Sequence, residues 1–422
     1  MAYDADTFVA RAKAGDMQAL QMFLRAGMAV DSANREAVTA LQQAAARGHL
    51  PMMQLLLDHG AASGGALPWA AGYEQREALL LLLQHKPDAA ALNQALYGAA
   101  GDKHIENLRT LLDAGADVNA GRPNSGDTAL TRAAGVANEE QVRLLLSRGA
   151  DVNRASDIGM TPLLLVVSEF STGRGEQDVA RRLRIVDLLL DKGAALEPRL
   201  RSMATFQPTP LLLAIQEKAT PLALHLIERG ADVNAHTLSI DGNRRQLSAL
   251  MWASGAGLTE VVRALLAKGA EVEWRNEFGN SALSETAVGS RGATQAAVAE
   301  ALLAAGAQAD AANVNQRTPL MLAARQVYGV EIGFVKLLLE NGANLNAVDK
   351  DGRSALMYAC ESGQTETARL LIERGAGLSA RDHEGLDAMA IATKHDHKDI
   401  VKLLAAKGTP AGAPAAGTAA AR

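Results

Sequence analysis

Apolar positions along this chain follow a helical rhythm that is interrupted and restarted at a nearly constant interval. The copy from Asp351 to Gly375 is the clearest: Leu356 precedes a small pair, Ala359-Cys360, and a second apolar run, Leu370-Leu371-Ile372, closes at Gly375. The phrase recurs twelve times, with closing positions Gly27, Gly60, Lys86, Gly115, Gly149, Gly193, Gly230, Gly269, Gly306, Gly342, Gly375 and Gly408. The mean spacing is about 35 residues, a period at which one supersecondary unit stacks on the next. In the copy that opens at Thr318, that threonine is placed to N-cap a helix, and Pro319 takes the first helical position, where a missing N–H costs nothing. Thr161-Pro162-Leu163 and Thr209-Pro210-Leu211 repeat the signal. Ala323-Ala324 lets a neighbouring helix approach, Val335, Leu337, Leu338 and Leu339 make the second helix apolar, and Gly342 ends it in a left-handed conformation. The pattern predicts an all-α chain of helix–turn–helix units, each too small to bury a core alone.

The phrases Gly115-Ala-Asp-Val-Asn119, Gly149-Ala-Asp-Val-Asn153 and Gly230-Ala-Asp-Val-Asn234, with the Thr-Pro-Leu openings, resemble the ankyrin repeat family over residues 6–408. The resemblance implies an all-α solenoid of about twelve helix-turn-helix units with short hairpin fingers, curved into a cupped surface that binds proteins. On this reading residues 1–408 form a single array. It has an N-terminal cap repeat at 4–33, a degenerate repeat at 61–88 and a C-terminal cap repeat at 382–408. A disordered Ala/Gly/Pro tail, 409–422, follows, since it has no large apolar residue to bury. There is one departure: where the family places His after Thr-Pro-Leu, this chain has Gln42, Tyr97, Thr131, Leu164, Leu212, Met251, Met321 or Met357.

The spacing is also uneven. Two short intervals flank Lys86, and the third copy has too few residues between Gly60 and Ala66 for a finger, so a flat region is expected there. Longer intervals run from Gly149 to Gly342. Extra residues at 171–178, 289–294 and 326–333 fall between the two helices of a unit, and those at 196–207 and 236–247 lengthen fingers. Such places tolerate solvated backbone and host functional loops.

Composition narrows the function. A net charge of −5 gives no drive toward nucleic acid or an anionic membrane, and no long uninterrupted apolar run is present. The single cysteine, Cys360, sits in a small-residue slot and excludes an intrachain disulfide, in keeping with a cytoplasmic location. Gly255-Ala-Gly257 and Gly173-Arg-Gly175 lack a preceding strand and fail as phosphate loops. His395 and His397 read as a solvated capping helix rather than a metal site, and His59 and His85 as partners of helix C-termini. No catalytic residue, cofactor or metal is expected.

Aromatic residues make up only 3% of the chain, so their placement is informative. Trp69, Trp252 and Tyr358 share the slot just before the small pair. The resemblance puts that slot at or near the concave palm, where they would contact a partner; the alternative is packing between repeats. A second constellation lies on neighbouring fingers: Arg199, Arg201 and Phe206, then Arg244 and Arg245, then Trp274, Arg275 and Phe278. These make a basic, aromatic strip suited to carboxylates, unless Glu197, Asp241, Glu273 and Glu277 neutralise it. The expectation is a monomeric, non-catalytic scaffold, an adaptor or regulatory protein, whose partner is another protein with an acidic surface. Nucleic acid and membrane are not expected partners. An immunity-type inhibitor of a toxin or hydrolase, and an accessory subunit of an enzyme, remain as alternatives.

Overall fold

The computed structural model describes residues 4–73, 75–101, 105–168, 175–198, 209–237, 246–289, 294–326 and 331–408. The tail at 409–422, and half or more of each insertion expected from the spacing, lie outside the described residues. Two units are distinguished, 1–203 and 204–422. In the first, six helix pairs follow one another: Ala5–Ala14 with Met17–Arg25, Ala40–Arg47 with Leu50–Asp58, Leu67–Gly72 with Arg76–Gln84, Ala89–Ala99 with Ile105–Asp113, Ala129–Gly135 with Glu139–Ser147, and Pro162–Ser168 with Glu176–Asp191. The second repeats the plan: Pro210–Gln216 with Thr220–Glu228, Ala249–Gly255 with Thr259–Ala267, Ala282–Val288 with Thr294–Ala304, Pro319–Ala324 with Ile332–Glu340, Ala355–Ser362 with Thr365–Glu373, and Ala388–Lys394 with Lys398–Ala406. Within each unit the leading helix of a pair packs on the leading helix of the next.

Leu67–Gly72 has 6 residues and Thr365–Glu373 has 9, well below the roughly 12–15 at which a helix holds in water by itself. Stacking supplies the missing stability. Leu41, Leu56, Leu79, Leu265 and Leu338 are wholly buried, each contributing roughly 1.5–3 kcal/mol. The threonine caps form as expected: Thr318 accepts from Met321 N–H, Thr209 from Leu212 N–H and Thr161 from Leu164 N–H, all at 3.3 Å. The positions that replace the family histidine divide by chemistry. Gln42 and Thr131 return a hydrogen bond to the cap backbone, whereas Leu164, Leu212, Met251, Met321 and Met357 are buried apolar residues. Tyr97 does not occupy this position, because its helix starts early, at Ala89.

Gly342 closes its repeat with φ +87°. An added Cβ would meet nothing within 4 Å, so glycine is required there for conformation rather than for space. Lys86 adopts the same left-handed region, φ +49°, despite its side chain.

The fingers are turns rather than strands. Among the described residues the only β pairing is two isolated bridges, Ala33 with Thr39 and His236 with Ser248. One side-chain oxygen organises each tight turn: Oδ1 of Asn34, Asn276, Asn313, Asp349 and Asp382 accepts two backbone N–H groups from residues two and four further on. The Ala-Asp-Val-Asn phrase also gains a cause. Asn119 and Asn153 each exchange two hydrogen bonds with the backbone just after the next repeat's helices, at Gly149 and Asp151 and at Gly193 and Ala195.

Polar side chains tie repeat to repeat at the other end. The last carbonyls of a helix have no intrahelical partner. In this chain the next repeat's trailing helix, or the residue that caps it, supplies one. Asn107 donates to Ala71 O, Gln141 to Ala99 O, Gln364 to Ala323 O and Ala324 O, and His397 to Glu361 O. Arg182, wholly buried, donates to Val166 O in its own repeat and Gly135 O in the one before, with Asp178 as its counter-ion at 2.9 Å.

Candidate functional site

In the second unit, Trp274, Arg275 and Phe278 stand together on the finger between Thr259–Ala267 and Ala282–Val288. The Trp274 ring is half-buried against His236 of the preceding finger, with centroids 5.6 Å apart. Arg275 is already partnered: Nη1 donates to Ala312 O of the following finger at 2.9 Å, and Nη2 pairs with Glu273 at 3.3 Å. Phe278 is 43% exposed. Successive fingers are stitched by backbone bonds, from Val314 N–H to Phe278 O (2.9 Å), Lys350 N–H to Asn315 O (3.1 Å) and His383 N–H to Asp351 O (3.0 Å). Phe278, Val314 and Val348 are therefore exposed apolar residues on a pre-ordered ridge. Arg199, Arg201, Phe206, Arg244 and Arg245 lie outside the described residues.

The aromatic slot before the small pair has different fates. Trp252 is half-buried on Ala249–Gly255. Trp69 is half-buried in the first unit and stacks on Tyr73 (6.0 Å, 14°), which is 58% exposed. Tyr358, expected as a contact residue, is instead 2% exposed. Its hydroxyl donates to Asp349 Oδ2 and accepts from Arg317 Nε, and the Arg317, Arg325 and Arg353 guanidinium carbons lie 5.6, 5.9 and 6.0 Å from the ring. A tyrosine can be buried at this slot because its polar tip finds partners in the finger behind it. Burial pushes the Tyr358 hydroxyl up to about 12, reinforced by the Asp349 carboxylate. Burial alone would raise the Asp349 carboxyl too, but hydrogen bonds from Tyr358, Arg317 and the backbone hold it below its ordinary value.

A cleft of about 650 Å³ opens in the first unit, where two consecutive fingers are absent. After Gly60 a single 3-10 turn, Gly64–Ala66, leads into Leu67–Gly72; after Lys86 only Pro87 and the cap Asp88 precede Ala89–Ala99. The next finger survives and forms one wall. Tyr97 stands on the opposite wall, with the Arg132 and Arg122 guanidinium carbons 5.0 and 5.3 Å from its ring centroid. Arg122 is fixed by its backbone, which donates to Asp127 O at 2.7 Å and accepts from Gly126 N–H at 2.9 Å.

A family model described as ankyrin repeats (3 copies) matches six overlapping stretches, 8–93, 67–156, 92–196, 177–276, 250–349 and 327–413. The chain belongs to the ankyrin repeat family. Over 130 residues, 31% of its length, it is 38% identical to the Caenorhabditis elegans "Ankyrin repeat and KH domain-containing protein mask-1". That stretch is 5% of the relative, so the comparison speaks for the repeats and not for the whole of that protein. Ankyrin repeats are protein–protein interaction modules, and proteins built from them are typically non-catalytic. Among the described residues of this ankyrin protein no helix is long and apolar enough to cross a membrane. A cleft thus stands where the spacing around Lys86 points to a flat region, and two features of the sequence mark it. The short intervals on either side of Lys86 mark the missing fingers, and Arg132 holds in its repeat the slot that Trp252 and Tyr358 hold in theirs.

Proposed function

We propose that this ankyrin protein is a non-catalytic scaffold, an adaptor or regulatory partner, that binds another protein through the finger ridge of its second unit around Trp274 and Phe278. The observation that carries the reading is the stitched row of fingers, which presents Phe278, Val314 and Val348 to solvent with little left to order on binding. A partly buried tryptophan at the edge of such a ridge is a favoured anchor. The partner's surface is acidic on this reading, which is supported by the arginines that the sequence places on the two preceding fingers. The protein acts as a monomer in the cytoplasm.

The test uses the full chain and a Trp274→Ala, Phe278→Ala double variant, immobilised in parallel and exposed to lysate of the native cell with quantitative mass spectrometry. A protein retained by the parent and lost from the variant is then purified and titrated against both. Weakening by about 2 kcal/mol with an unchanged melting curve supports the ridge. Equal retention on both would place binding elsewhere.

A further inference from the structure

We propose a second binding site, independent of the finger ridge: the cleft around Tyr97 receives an extended acidic segment of a partner protein, whose aspartate or glutamate carboxylate sits between Arg122 and Arg132. Three observations converge on it. The cleft is of a size that holds a short peptide segment. Its cations lack a carboxylate partner among the described residues: neither Arg122 nor Arg132 has one within ion-pair distance, although Arg76, Arg109, Arg143, Arg148, Arg182 and Arg184 of the same unit all do. Arg132 spends one N–H on Tyr97 O at 3.2 Å, and the two side chains keep their other donors. The arrangement is also held in place: Tyr97 is fixed on a helix, Arg132 on the next leading helix, and Arg122 in a hairpin pinned to the following finger by Asp157 N–H to Ser125 O at 2.8 Å.

Charge and shape choose the occupant. Two guanidinium groups stacked on one ring present fork-shaped donors matched to a carboxylate. The flanking walls, Pro68, Ala90, Gly98, Ala120 and Pro123, are apolar or small and suit the backbone and short side chains of an extended peptide. A nucleic acid is disfavoured, because the chain as a whole carries a net charge of −5 and two arginines do not make a phosphate-tracking stripe. The cleft lies beside the two places, after Gly60 and after Lys86, where fingers are absent.

The experiment pans a displayed library of random ten-residue peptides against the full chain, with Arg122→Ala/Arg132→Ala and Trp274→Ala variants in parallel. The expected enriched peptides share one aspartate or glutamate, bind the Trp274→Ala variant as they bind the parent, and are lost from the double arginine variant. The best peptide is then synthesised with that residue as the acid and as its amide and titrated by fluorescence anisotropy. The amide peptide, and the Arg122→Ala and Tyr97→Ala proteins, should each bind at least about ten-fold more weakly. Arg122 is exposed, so its variant keeps the fold even where Arg132→Ala proves unstable. No enrichment above background, enrichment without a shared acid, or equal binding of acid and amide peptides would overturn the proposal. So would displacement of the peptide by an oligonucleotide at lower concentration than by a second acidic peptide. Loss of binding to the Trp274→Ala variant instead would return the site to the finger ridge.

Discussion

Replacing Tyr358 by Phe removes one oxygen from the interior of the second unit and leaves the ring in place. The Arg317, Arg325 and Arg353 contacts with the ring survive. What goes is the donor to Asp349, whose side chain is shut off from solvent. Asp349 Oδ2 then keeps one donor, Arg317 Nε at 2.9 Å, while Oδ1 keeps the N–H groups of Asp351 and Arg353. A hydrogen bond to a charged buried group is worth roughly 1.5–3 kcal/mol, and the surviving partners place this loss at about 2 kcal/mol. In a stack of repeats that loss is local. Hydrogen exchange at pH 7 should therefore quicken about 30-fold in Ala355–Ser362 and Thr365–Glu373 and stay unchanged in the first unit. The pH dependence gives a second readout. The Asp349 pKa is depressed in the folded chain, so its stabilisation is complete above the unfolded value of about 3.9 and disappears as pH falls through the folded value. Without the Tyr358 hydroxyl that folded value rises toward the unfolded one, so the acid-dependent loss is smaller and is complete at higher pH. Tyr358 has the opposite sign: its pKa is raised to about 12, so the parent loses stability as pH climbs from about 10 toward 12, and the Phe variant does not. Unchanged exchange, or the same acceleration in both units, would refute the account of Tyr358 as a buried hub.

Lys86→Gly relieves a left-handed lysine and should stabilise the first unit by about 0.5–1 kcal/mol in urea titration; a loss would mean that the lysine side chain contributes more than its backbone costs. Arg182→Ala strips a counter-ion from Asp178 and donors from two carbonyls, and should cost about 3 kcal/mol; Arg182→Met combined with Asp178→Leu should cost clearly less, because both charges of the pair are then removed together. Burial pushes the Cys360 thiol up to about 12, so labelling by a disulfide reagent at pH 8 should track unfolding, and immediate labelling of the native chain would contradict its buried position.

Much of the fold was legible because it is written in residues whose role depends on local backbone alone. Thr318-Pro319 and Gly342 act within a few positions of themselves, so one copy read correctly gives the others. Burial was less legible. Tyr358 and Trp252 occupy the same slot, yet the tyrosine is buried because Asp349 and Arg317, one on the finger before its helix and one on the finger before that, supply partners for its hydroxyl. Nothing in the slot itself announces those partners. The cleft at Tyr97 was harder still, since it is made by residues that are missing. A short interval in a sequence reads as irregularity, and only the placement of the surviving finger turns it into a pocket.

The ties between repeats expose the same limit from another side. Asn107, Gln141, Arg182, Gln364 and His397 do one physical job, donating to carbonyls at the end of a leading helix, usually that of the repeat before. No single residue type marks the job, because any side chain with an N–H of the right reach meets the need. Selection at these places acts on a donor and a distance, so a search for repeated letters passes over them. Glycine can be required on the receiving side for a related reason. At Gly363, φ +71°, an added Cβ would come 2.6 Å from the His397 ring, so here space and conformation are both demanded, unlike at Gly342. Gly363→Ala should therefore destabilise the last repeats more than Gly342→Ala does the pair that it closes. Equal costs would mean that the His397 ring turns aside freely and that its bond to Glu361 O contributes little.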